Sequence, residues 1–200
     1  MFFHTPGWEL TLFTWINQGS QNQLFDFLMP LFSSSAFLWA LSIILAVAGL
    51  RGGRVTMTVV LGLALCIAAS DLTCSVIKDS VGRVRPYQSL PGARYMDSGN
   101  WETRPLDFEA TKRTGSSFPS AHSSNAAAAT LFLYAIFRRK TLWLVPLVIG
   151  FSRVYLGKHF PMDVMAGWAT GLAVAGAVVP AYPIVCNLVR SRWMRYRLRM

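Results

Sequence analysis

Acidic side chains are scarce in this chain of 200 residues: nine Asp and Glu stand against nineteen Lys and Arg, and charge of either sign makes up only 14%. A 53% hydrophobic composition would suit one soluble domain if the apolar residues were scattered, but they are gathered into runs. Cysteine is almost missing. Cys66, Cys74 and Cys186 each fall inside an apolar run, which argues against a disulfide framework, and no spacing resembles a zinc site. Tandem repeats and low-complexity stretches are absent as well; the run Ala126 to Ala129 reads as close helix packing. Residues 1–26 lack the basic start and small-residue cleavage site of a secretory signal.

What is present is hydrophobic length. Apolar runs cover Phe27 to Leu50, Val55 to Ile77, His122 to Phe137, Thr141 to Gly157 and Asp163 to Val189, several near the ~20 residues needed to cross a bilayer core. The expected fold is therefore all-α: a polytopic transmembrane helix bundle of about five spans, forming one membrane-embedded domain over residues 1–200. Trp8, Leu12, Trp15 and Ile16 recur at near-helical spacing, so residues 1–26 are expected to form a short interfacial or re-entrant helix.

Basic residues then set the orientation. Arg51 and Arg54 follow the first run, Arg138, Arg139 and Lys140 the third, and Arg190, Arg192, Arg195, Arg197 and Arg199 the fifth. All ten fall on one side of a five-span arrangement, which marks that side as cytoplasmic. The net charge of +10 is accounted for by these ten, so anionic lipid headgroups, rather than nucleic acid, are the expected partners of this face and of the tail 190–200. The loop 78–121 lies on the opposite, outer side.

Three segments on that outer side carry side chains suited to phosphate. They read KDSVGRVRP from Lys78, PSAH from Pro119 and SRVYLGKHFPMD from Ser152. Phosphoryl transfer needs fixed cations for the nonbridging oxygens, a nucleophile and a proton donor. Pro86 disfavours helical geometry at Arg85, so the chain is expected to break there and turn the guanidinium toward Lys78; alternatively Lys78, Arg83 and Arg85 are flanking charges at a helix end. Pro119 and the small residues after it signal a helix start, whose free N–H groups suit an anion beside Ser120 and His122; a plain N-cap is the simpler alternative. Arg153 is costly among apolar residues unless paired. Asp163, four residues after His159, can hold one imidazole nitrogen and leave the other as a nucleophile, or merely favour a helix N-terminus.

Taken together, Lys-x6-Arg-Pro, Pro-Ser-x-His and Ser-Arg-x5-His-x3-Asp resemble the three-part signature of the type 2 phosphatidic acid phosphatase superfamily, the lipid phosphate phosphatases and their relatives. The resemblance covers Lys78 to Asp163. It implies that His159 attacks phosphorus to form a phosphohistidine, that Asp163 orients it, and that His122 protonates the leaving oxygen and then activates water. Lys78, Arg85 and Arg153 would hold the phosphate, with Ser120 and the backbone at Ala121 completing the cradle, and neither metal nor other cofactor would be needed. Ala121 departs from the glycine usual there and implies a right-handed helix start; the short interval from His122 to Ser152 implies a compact hairpin.

Two further polar residues are candidates for support. Asp71, inside the second run, is expected to pair with Lys78 or Arg85 or to make a contact between helices, and Asn125 to orient His122 or bind a neighbouring helix. Gly167 and Gly171 are read as helix packing, and the aromatics of the loop 78–121 as interfacial anchors or part of a lid. The implied function is a phosphatase in a bacterial cytoplasmic membrane, its site facing outward. Candidate substrates are undecaprenyl pyrophosphate, phosphatidylglycerol phosphate, phosphatidic acid and lipid A phosphate. A lipid phosphotransferase and a non-catalytic lipid-phosphate binding or transport protein are the alternatives.

Overall fold

The computed structural model describes residues 5–34, 43, 44, 47 and 50–181. Most of the first apolar run, Cys186, His4 and the basic tail 190–200 lie outside the described residues. Helices α1 (Gly7–Thr14) and α2 (Gln23–Ser33) are joined by a π-helical turn, Trp15–Gly19. Then come α3 (Gly53–Val81), the one-turn α4 (Pro86–Ser89), strands β1 (Arg94–Asp97) and β2 (Asn100–Thr103), α5 (Ala121–Phe137), α6 (Leu144–Tyr155) and α7 (Pro161–Val178).

The protein is mostly helical. Among the described residues one helix, α3, is long and apolar enough to cross a membrane. The expectation of an all-α chain is corrected in the outer loop, where β1 and β2 form an antiparallel hairpin pairing Asp97 with Asn100. Its turn residues, Ser98 and Gly99, both have positive φ, at 49° and 89°, the geometry a two-residue hairpin connection requires.

Helix α7 packs most intimately on α5, and a glycine seam makes this possible. A Cβ at Gly171 would stand 2.0 Å from the Ser124 carbonyl oxygen, and one at Gly167 2.4 Å from that of Ser120. The two backbones therefore meet with no side chain between them, as the pair's spacing leads one to expect. Leu63, Cys66, Phe132 and Ala175 fill the core where α3 joins this pair.

The N-terminal helices close the other side. Eight residues make α1 too short to span a bilayer. It buries Glu9 and Phe13 and exposes Trp8, Leu12 and Trp15, while Ile16 joins the core with Phe13, Met29, Tyr155 and Phe160. Asn17, fully buried, donates from Nδ2 to the carbonyls of Arg94 and Tyr155, 2.8 Å each, and accepts from the Arg94 N–H at 2.8 Å. Arg94 in turn grips Asp26 of α2 through two bonds of 2.6 and 2.8 Å. The hairpin is thus tied to the π-helical turn and to α2 rather than left as a free lid.

Candidate active site

Local chain punctuation places each candidate group. Arg85 adopts an extended conformation at the N-cap of α4, the effect of Pro86 at its first position. Lys78 occupies the last turn of α3. Ser120 is the N-cap of α5 and accepts from Ser123, with Ala121 and His122 the first two helical residues. The right-handed helix start implied by Ala121 is present. Pro119, however, precedes the cap instead of occupying the first helical position.

Arg153 lies in the last turn of α6. Gly157, at φ +64°, reverses the chain, and its close approach to the Arg94 carbonyl leaves only 2.5 Å for any Cβ. The N–H groups of Lys158 and His159 then fold back onto the Arg153 carbonyl, at 3.1 and 3.2 Å. Pro161 starts α7 two residues later, and Asp163 in its first turn accepts from the Phe160 N–H at 2.8 Å. His159 is consequently held in a fixed turn between α6 and α7. The Ser120 N–H, bonded to the Asp163 carbonyl at 2.9 Å, brings the PSAH segment against it.

These residues share one electrostatic neighbourhood: His122 interacts with Arg153, His159, Lys78 and Arg85. His159 is 2% exposed, and burial, reinforced by the charge of Arg153, depresses its pKa to about 4, so the ring is neutral near pH 7. Its Nδ1 lies 2.7 Å from the Ser117 carbonyl oxygen, an acceptor that assigns the proton to Nδ1 and leaves Nε2 with a free lone pair. This corrects the expected hydrogen bond to Asp163, whose Oδ2 is 3.6 Å from Nδ1. The Asp163 carboxylate is already engaged by Arg83 Nη1 at 2.8 Å, by the Ser117 hydroxyl and by the Phe160 N–H. It acts on His159 through its field and by holding Ser117.

For the supporting candidates, the structure shows the helix-to-helix contact, one of the two alternatives expected of each. Asn125 donates from Nδ2 to Asp71 Oδ1 at 3.3 Å, so these two link α5 to α3; the amide does not reach His122, nor does the carboxylate pair with Lys78 or Arg85. Arg83, expected as a flanking charge, is 3% exposed and bonded to Glu9 and Asp163. Sequence reasoning passed over Glu9, Ser117 and Lys158. Glu9 had a signal: it is the only acidic residue among the first 25. Lys158, half-buried over the Tyr87 ring at 4.6 Å, feels Arg153 and Arg85, and with burial as the main cause its pKa is lowered.

Arg153 stands apart from the ion-paired arginines. It is 7% exposed and forms no ion pair among the described residues. A buried guanidinium is stable only with an anion or strong acceptors around it. With Lys78, Arg85 and the first N–H groups of α5 nearby, the arrangement suits a phosphate.

Comparison with known proteins points to phosphatases. The family model described as the PAP2 superfamily matches residues 59–184. A lipid A 4'-phosphatase of Bacteroides thetaiotaomicron is 32% identical over 127 residues, covering 59% of this chain and 51% of the relative. Phosphatidylglycerophosphatase B of Bacillus subtilis is 31% identical over 152 residues, covering 70% and 64%. The chain spans between a third and about half of the length of the first curated relatives it matches. In fold it resembles the crystal structure of Aquifex aeolicus LpxE, with a TM-score of 0.68, 24% identity, and coverage of 90% of this chain and 99% of that one.

Proposed function

Because the chain belongs to the PAP2 superfamily, we propose that it is a membrane lipid phosphatase that hydrolyses a phosphomonoester or pyrophosphate through a phosphohistidine. The observation that carries this reading is the buried, carboxylate-free Arg153 beside a neutral His159 whose Nε2 is free. Lys78, Arg85 and Arg153 bind the phosphoryl oxygens. His122 takes up the proton of the bound phosphate monoanion; His159 Nε2 then forms a bond to phosphorus as the P–O bond to the lipid breaks, and His122 passes that proton to the leaving oxygen. His122, now neutral, takes a proton from water; the resulting hydroxide attacks phosphorus and the P–N bond returns its electron pair to Nε2. The cations supply the charge stabilisation that a metal provides in other phosphatases, so turnover is expected to persist in EDTA.

A lipid substrate is supported by the apolar exterior and by a cavity of about 600 Å³. Leu12, Phe25, Met29, Phe151, Val164 and Trp168 are among its lining, one residue past Asp163 at Val164. The relatives' names favour two of the headgroups already expected, lipid A and phosphatidylglycerophosphate. In this reading the chain makes five spans, with the cluster on the outer side of a bacterial cytoplasmic membrane and the basic face inward.

The test is phosphate release by detergent-purified protein in EDTA, offered undecaprenyl pyrophosphate, phosphatidylglycerol phosphate, phosphatidic acid and lipid A. Wild type should turn over at least one, and His159→Ala should lose at least about 1,000-fold, since the nucleophile is gone. Inertness of wild type on all four, or full activity in His159→Ala, overturns the reading.

A further inference from the structure

A carboxylate from the N-terminal helix reaches the catalytic turn. Glu9 is fully buried and meets Arg83 in a two-point contact, Nη2 to Oε2 at 2.7 Å and Nη1 to Oε1 at 3.2 Å. The same Nη1 donates to Asp163 Oδ1 at 2.8 Å. Glu9 Oε1 also accepts from the Met162 N–H at 2.8 Å, on the first turn of the helix that carries Asp163. Arg83 lies over the Phe160 ring at 4.1 Å, and its Nη2 reaches Thr5. The guanidinium is thereby fixed on both sides.

The charge count gives this arrangement a purpose. Arg83 and Asp163 alone would cancel and leave little field for His159. Two carboxylates around one guanidinium leave a net negative charge, buried where solvent screens it weakly. Attack on phosphorus turns the neutral His159 ring into a phosphoimidazolium that keeps its Nδ1 proton, so positive charge appears 3.6 Å from the Asp163 carboxylate.

We propose that Glu9 is a positioning residue of the reaction: acting through Arg83, it supplies the excess negative charge that stabilises the phosphorylated His159, making α1 part of the working site. Helix α1 lies outside the residues 59–184 that match the family model. The inference rests on the phosphohistidine reading and predicts which way each half-reaction moves. Neutralising Glu9 raises the energy of the imidazolium. Formation of the intermediate slows, while its breakdown, which returns the ring to neutrality, speeds up.

The experiment is rapid-quench kinetics with para-nitrophenyl phosphate, quenched in base, on wild type, Glu9→Gln and Glu9→Asp. Glu9→Gln should slow phosphohistidine formation about tenfold and accelerate its discharge severalfold, and Glu9→Asp should restore most of both. A partly unfolded variant would instead lose both phases in proportion. Wild-type rates for both steps in Glu9→Gln overturn the inference. If wild type forms no phosphohistidine, the underlying reading fails and the inference falls with it, an outcome distinct from a wild type that forms the intermediate and a Glu9→Gln that matches it.

Discussion

Arg83 and Arg153 flank the same catalytic turn, both nearly out of solvent, and they are equipped in opposite ways. Arg83 has carboxylates on two sides, a hydroxyl and an aromatic face. Arg153 has no carboxylate partner among the described residues. A cation that arrives with its counterions cannot attract another anion strongly, and it becomes a strut. A cation left without them keeps its charge for a ligand, at a cost in folding free energy. In this protein the distinction separates support from substrate contact more sharply than burial does.

The largest effect should come from breaking the strut. Arg83→Ala strands two buried carboxylates and is expected to cost about 3–5 kcal/mol, read as loss of the thermal unfolding transition or of folded yield in detergent. Arg153→Ala should behave in the opposite sense, lowering phosphate release about 100-fold or more while the unfolding temperature holds or rises. If Arg153→Ala unfolds the protein while Arg83→Ala is tolerated, the assignment of the two arginines is reversed.

The mildest test is acid titration. Burial and the Arg153 charge hold His159 at about 4 in the folded state, below its ordinary value near 6.5. Between these values the unfolded chain binds a proton that the folded one refuses. Stability should therefore fall as pH drops from about 6.5 to 4, and then lose its dependence on this group. The unfolding temperature across that window, compared with Arg153→Ala, tests the link. Removing the arginine should raise the His159 titration and flatten the slope; an equal slope in both proteins would remove Arg153 from the cause.

How much of this was legible in the sequence depended on distance along the chain. The placement of His159, Asp163, Arg85 and Ser120 followed from nearby punctuation: Gly157 ends one helix, Pro161 begins the next, and Pro86 sets Arg85. Arg83 was visible but its partner was not, because Glu9 is 74 residues away and meets it only when α1 folds back. The acceptor for His159 is a backbone carbonyl, which has no residue signature, so Asp163 was the natural but incorrect expectation. The hairpin was missed, because its two short strands carry little hydrophobic alternation to announce them.

The glycine seam between α5 and α7 has a consequence for access. With Ser124 and Ser120 carbonyls seated against Gly171 and Gly167, the helices carrying His122 and Asp163 share one rigid keel. No hinge can run along that seam without exposing bare backbone. On the proposed reading, the span from His122 to the start of α7 is gauged by main-chain contact, and the doorway for a lipid would be cut on the α3 or α6 flank. Changes to that doorway would alter which headgroup enters while leaving the distance it has to bridge untouched.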